Sequence, residues 1–107
     1  MSDRIRKINE LIRELAAEAL LQNISRQHLY TVKAVEASRD LRHATVWVSV
    51  IGQEEDFMAE LKENINEIRH YITGKMTSKY TPLIEFKIDR SGDYAQRIEE
   101  LLNEEKP

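Results

Sequence analysis

Val35-Glu36-Ala37-Ser38-Arg39-Asp40-Leu41-Arg42-His43-Ala44-Thr45-Val46-Trp47-Val48-Ser49-Val50 is the stretch that decides the fold. Ala44, Val46, Val48 and Val50 alternate with Thr45, Trp47, Ser49 and Ile51, the period-two pattern of a strand. Both faces of that strand are largely apolar. Upstream, Tyr30–Ala37 is rich in β-branched residues and is broken by Ser38-Arg39-Asp40. Two such runs joined by a short polar link around Arg39–Arg42 predict a β-hairpin.

The pattern changes on either side of the hairpin. Before it, Ile5, Ile8, Ile12, Leu15 and Ala19 recur at three- and four-residue steps, which predicts an amphipathic helix over about 4–22. Asp3 or Ser2 suits its N-cap. After it, Gly52 ends the strand and Glu54-Glu55-Asp56 opens a second helix, where acids oppose the positive end of the helix dipole. Phe57, Leu61, Ile65, Ile68 and Ile72 keep helical spacing, while Asn64 and Asn66 lie inside the run and tolerate other backbone. Gly74 is placed to end or loosen it. Thr81-Pro82 forces an extended approach to Ile84, Phe86 and Ile88, a third strand. Ser91 or Asp93 can cap a closing helix carrying Tyr94, Ile98, Leu101 and Leu102. The expected class is α+β, a single domain over residues 1–107, in the order α-β-β-α-α-β with a C-terminal helix.

A chain of 107 residues supports one core, and 41% apolar residues argue against disorder. With no cysteine there is no disulfide framework, thiolate metal site or cysteine nucleophile. The charged start, MSDRIRKINE, resembles neither a signal peptide nor a membrane span, so a cytoplasmic protein is expected. The net charge of −3 hides an uneven distribution. Residues 1–44 carry +2, 45–67 carry −5, 68–90 carry +3 and 91–107 carry −3. The two basic segments can form a patch if the fold brings them together; otherwise they are an ordinary solvated surface.

The same central stretch resembles a known family. Val35-Glu36-Ala37-Ser38-Arg39-Asp40-Leu41 followed by Ala44-Thr45-Val46-Trp47-Val48-Ser49 is similar to the pattern V-x-x-S-x-D-L-x-x-A-x-V-x-V-S of ribosome-binding factor A. Ile68-Arg69 resembles that family's Ile-Arg pair, and Pro82–Asp89 resembles its P-x-L-x-F-x-x-D strand, with Ile84 for leucine. The N-terminal helix, with Arg4, Ile5, Ile8 and Ile12, is also similar, so the likeness spans about residues 4–104. It implies a type II KH-like domain: a three-stranded sheet with helices on one face and a kinked central helix pair. It also implies a monomeric assembly factor that binds the small (30S) ribosomal subunit and its rRNA and assists late maturation and 16S rRNA processing. Members replace the Gly-x-x-Gly loop of ordinary KH domains with an interhelical kink, usually Ala-x-Gly. Here Asn64-Ile65-Asn66 stands at that place, and the basic tail of some relatives is replaced by acidic Asn103–Pro107.

Each candidate residue has a structural reading beside its functional one. Ser38 and Asp40 can bind local backbone to fix the turn, with Leu41 plugging the core. Arg39 has no such duty and suits a phosphate, as does Arg42. Arg69 can pair with Glu63 or Glu67, or bind phosphate through its planar guanidinium. Lys75 and Lys79, four apart, would share a face if helical. Arg4, Arg6 and Lys7 open the first helix, where positive charge opposes the dipole and a partner would justify it. Trp47, Tyr71, Tyr80 and Tyr94 could stack on bases, but packing explains Trp47 better. The expected mode is contact with the backbone of folded rRNA and little sequence readout.

Catalysis finds no support. His28, His43 and His70 lack metal-ligand spacing, and Gly74-Lys75-Met76-Thr77 lacks the upstream glycine of a phosphate loop. No cofactor, metal or small-molecule substrate is expected. The alternative is an adaptor whose acidic helix, about Glu54–Glu67, docks basic proteins without touching RNA.

Overall fold

Strand β1 (Leu29–Ala37) and strand β2 (His43–Ile51) pair antiparallel across the Ser38–Arg42 turn, as the hairpin reading expects. This is a computed structural model, and it describes residues 3–76 and 81–90. The remaining elements are α1 (Asp3–Asn23), α2 (Glu54–Glu63), α3 (Ile65–Gly74) and β3 (Leu83–Ile88). The order α-β-β-α-α-β is the expected one, and the sheet order is β1-β2-β3 with β3 parallel to β2. The closing helix predicted from Ser91 onward lies outside the described residues, as do Ser2, Lys79 and Tyr80.

Alternation along β2 sets the layers. Ala44, Val46 and Val48 are buried, while Thr45, Trp47 and Ser49 on the other face are half-covered. Ile84 of β3 and Val32 and Val35 of β1 join the buried side. Against it pack Ile12, Leu15, Ala16, Ala19 and Leu20 of α1, Phe57 and Leu61 of α2, and Ile68 and Ile72 of α3. Burying each large apolar side chain contributes about 1.5–3 kcal/mol, which is why the helices stay on one face. Trp47 lies on the outer face beside Lys87, whose ammonium is 5.7 Å from the ring centre.

Two local features were not foreseen. Register slips between Val32 and Ala34, so Lys33 is the extra residue of a β-bulge. The bulge explains why buried positions in β1 step by three, from Val32 to Val35, instead of by two. Left-handed backbone falls at Leu41 (φ 59°), Gly52 (φ 70°) and Gln53 (φ 47°), and at neither asparagine of the helix pair.

The kink needs a correction. The apolar spacing from Phe57 to Ile72 does run through two helices, but the break is at Asn64 alone, with φ −109° and ψ 13°. Ile65 and Asn66 are ordinary residues of α3. Asn64 shares its N–H between the carbonyls of Glu60 (3.1 Å) and Leu61 (3.2 Å), and its side-chain amide donates to Glu60 O at 2.9 Å. The joint is therefore a bridge-region turn stabilised by one side chain, not a left-handed residue.

Candidate nucleic-acid interface

The turn between β1 and β2 is held by its own polar side chains. Ser38 Oγ donates to Asp40 Oδ1 (2.6 Å), and the N–H groups of Arg42 and His43 donate to Asp40 Oδ1 and Ser38 Oγ, both at 3.1 Å. Backbone bonds from Ser38 N to His43 O (2.8 Å) and from Leu41 N to Ser38 O (3.0 Å) close the loop. The Ser38 hydroxyl, then the Arg42 N–H, hold the Asp40 carboxyl below its ordinary range. Leu41 is buried, as expected, at the cost of a left-handed backbone. Arg39 and Arg42 are thus displayed on a rigid base. Arg39 is exposed, and Arg42 lies only 3.9 Å from Asp40 with both side chains largely in solvent, an ion pair of small worth.

Helix α1 brings further bases to this end of the sheet. Asn9 Oδ1 accepts the Ala37 N–H at 2.9 Å, which fixes the first turns of α1 beside the hairpin turn. Arg4, Arg6 and Lys7 lie within about a turn and a half before Asn9 and are all exposed. Arg6 approaches Asp3 at 3.6 Å on the open surface. On the far side, the strand row Ala37–Ala44–Ile84 ends at Arg69, whose Nε donates to Ile84 O at 2.8 Å. The expected alternatives for Arg69, pairing with Glu63 or Glu67, are replaced by this bond. It ties α3 to the outer carbonyl of β3, so half-buried Arg69 has a structural duty first.

Of the lysine pair, Lys79 lies outside the described residues, and Lys75 is the C-cap of α3, which ends at Gly74. Lys75 stands 4.7 Å over the Tyr71 ring, and Tyr71 donates its hydroxyl to Glu18 of α1 at 2.9 Å. These contacts tie Lys75 to the seam between α1 and α3.

The opposite end of the sheet holds a cluster that was not anticipated. Glu60 of α2 accepts from Ser25 N (2.5 Å) and Ser25 Oγ (3.0 Å), and its Oε2 lies 3.0 Å from His28 Nε2. The Ser25 N–H is the main cause holding Glu60 below its ordinary range. His28 is buried, with its ring edge against Phe57. Ser25 gives its hydroxyl hydrogen to the carboxylate, so the trio is a clamp between α2 and the loop after α1, not a nucleophile with its base. Its members lie 32 and 35 residues apart, which no local pattern could join.

Residues 4–102 match the family model described as ribosome-binding factor A. The chain belongs to the ribosome-binding factor A family. It is 36% identical over 106 residues to ribosome-binding factor A of Protochlamydia amoebophila (strain UWE25), covering 92% of this chain and 80% of that one. Its fold is similar to the crystal structure of ribosome-binding factor A from Thermus thermophilus, with a TM-score of 0.71 at 20% identity over 81% of this chain and 98% of that one. A homology model of the Thermus thermophilus factor, fitted into the cryo-EM map of a 30S–RbfA complex, aligns with a TM-score of 0.63 at 19% identity. That alignment covers 85% of this chain and 97% of the other. The family resemblance carried by Val35–Ser49, Ile68-Arg69 and Pro82–Asp89 is therefore confirmed.

Proposed function

We propose that this protein binds the small ribosomal subunit through its rRNA and assists late maturation and 16S rRNA processing, without catalysis and without a cofactor. Support comes from family membership and from the Thermus thermophilus relative fitted in a 30S complex. The observation that carries the RNA face is the gathering of Arg4, Arg6, Lys7, Arg39 and Arg42 at the hairpin end, displayed by elements that need none of their charges. Arg69 and Lys75 belong to a wider rim, with Lys79 kept as a candidate contact by its sequence alone, and the Asn64 joint sets the direction of the helix that carries Arg69. A monomer in the cytosol fits this reading. Among the described residues, no helix is long and apolar enough to cross a membrane.

The adaptor alternative is weaker, because its acidic helix is partly engaged within the fold. Glu60 is occupied by Ser25 and His28, and Glu54 by Arg90. Cosedimentation with purified 30S subunits over a salt series separates the readings. Wild-type binding should weaken steeply with salt. Replacing Arg4, Arg6, Arg39 and Arg42 with glutamine should remove about one unit of log–log slope for each phosphate no longer neutralised. A folded quadruple variant that cosediments like wild type, with the same slope, overturns the RNA face.

A further inference from the structure

The bulge at Lys33 and the exposed leucines at the other end of β1 face the same feature, a groove between α1 and the open edge of the sheet. Strand β1 is the outermost strand, and α1 runs beside it in the opposite direction from the Asn9–Ala37 bond. Ser38 bonds His43 across the hairpin, so Ala37 and Val35 turn their backbone groups outward, away from β2. Among the described residues, Asn9 alone reaches that edge from outside with a hydrogen bond.

The groove has two chemically distinct halves. Near the hairpin end, a cavity of about 220 Å³ is lined by Arg6, Asn9, Glu10, Arg13 and Lys33, three bases against one acid. Lys33 stands there because it is the bulged residue. Toward the other end, a cavity of about 550 Å³ is lined mainly by Ala17, Leu21, Ile24, Leu29, Tyr30 and Val32, with Ser25, Arg26 and His28 completing its wall. Leu21 is 72% exposed and Leu29 62%, and Ile51, which pairs with Leu29 across the hairpin, is 73% exposed. Single exposed leucines are ordinary, but Leu21 and Leu29 line one concave edge and Ile51 extends the apolar surface beside it, which marks a binding surface.

We propose that this groove docks an extended protein segment that adds as a fourth strand to β1, with acidic residues over Arg13 and Lys33 and a bulky apolar residue against Leu21 and Leu29. Main-chain pairing to an open edge supplies affinity, and the two half-sites supply the choice of sequence. Charge complementarity selects an acidic partner. The apolar half selects protein over RNA, because Ala17, Leu21, Ile24, Leu29 and Val32 make up most of its lining and its two rings, His28 and Tyr30, are buried and half-buried, whereas bases stack on open aromatic faces. A second copy of the chain fits poorly, since edge-to-edge pairing of β1 would set each copy's bases against the other's bases or leucines.

The test is selection of random twelve-residue peptides displayed on phage against the full chain, followed by anisotropy titration of the enriched peptides. Enriched sequences should join an acidic run to bulky apolar residues. Leu29→Lys, a surface change that spares the core, should weaken them by roughly tenfold or more. Arg13→Glu with Lys33→Glu should weaken them comparably and flatten the salt dependence. Neither residue belongs to the proposed RNA face, so 30S cosedimentation should be unchanged, which keeps peptide docking separable from RNA binding. Four outcomes overturn the proposal: no enrichment, binding indifferent to Leu29→Lys, a dimer in light scattering that Leu29→Lys dissolves, or loss of 30S binding in the Arg13/Lys33 variant.

Discussion

At the hairpin end of the sheet, Ser38 and Asp40 satisfy the turn backbone and leave Arg39 and Arg42 facing solvent. At the opposite end, Glu60 directs its carboxylate to Ser25 and His28 and ties α2 to the loop between α1 and β1. Both ends use a carboxylate held below its ordinary range. The hairpin carboxylate acts within five residues and frees its neighbours' charge for a partner. The junction carboxylate acts across 35 residues and consumes its charge inside the fold. A charged residue's functional promise is therefore judged by where its partners are, not by its presence in a basic or acidic run.

The comparison breaks most visibly at Phe57. Its ring is fully buried and meets His28 at 5.7 Å and Tyr30 at 5.3 Å between ring centres. Phe57→Ala should destabilise the protein by about 3–5 kcal/mol, measured by urea unfolding. If the junction end is purely structural, the variant held under folding conditions should still bind 30S subunits as wild type does. A loss of binding beyond the unfolded fraction would mean that the two ends are coupled.

Leu41 sharpens the hairpin half. It is buried, so Leu41→Ala should cost about 2 kcal/mol in lost packing, the lower end for a leucine at the margin of a core. Its φ of 59° also strains any side chain. Leu41→Gly should therefore be more stable than Leu41→Ala by about 1 kcal/mol, reversing the usual order of these residues. Thermal unfolding of the pair decides it, and an alanine variant at least as stable as glycine would show that strain is not stored at the turn.

What was legible in the sequence was local. Val46 and Val48 declare their strand by alternation, and Ser38 and Asp40 declare their turn because their partners lie within five residues. The apolar spacing from Phe57 to Ile72 revealed helix, and Asn64-Ile65-Asn66 marked the region of its joint without showing that Asn64 alone makes it. Asn64 interrupts the backbone without shifting the buried face, so no break in periodicity marks it. Lys33 was silent for a related reason: a bulge is one extra residue, and Thr31-Val32-Lys33-Ala34-Val35 reads as slightly irregular alternation. Arg69 could not be placed without knowing that β3 lies at the sheet edge, since its partner is a backbone carbonyl 15 residues away. The groove along β1 depends on the strand order and on the direction of α1, both tertiary facts.

The smallest effect concerns pH, and it separates the two carboxylates. Each has its folded pKa lowered, so each contributes stability that is present above the ordinary carboxylate range and is lost as pH falls through the lowered value. Glu60 joins elements distant in sequence, whereas Asp40 joins neighbours that remain close in the unfolded chain. Glu60→Gln should therefore flatten the acid limb of the Tm-against-pH curve below about pH 5 more than Asp40→Asn does. The glutamine variant should also loosen the loop after α1, read as faster amide exchange at Ser25, the N–H that the carboxylate accepts. Equal flattening by both substitutions would mean that the separation in sequence between a carboxylate and its partners does not set its share of the acid limb.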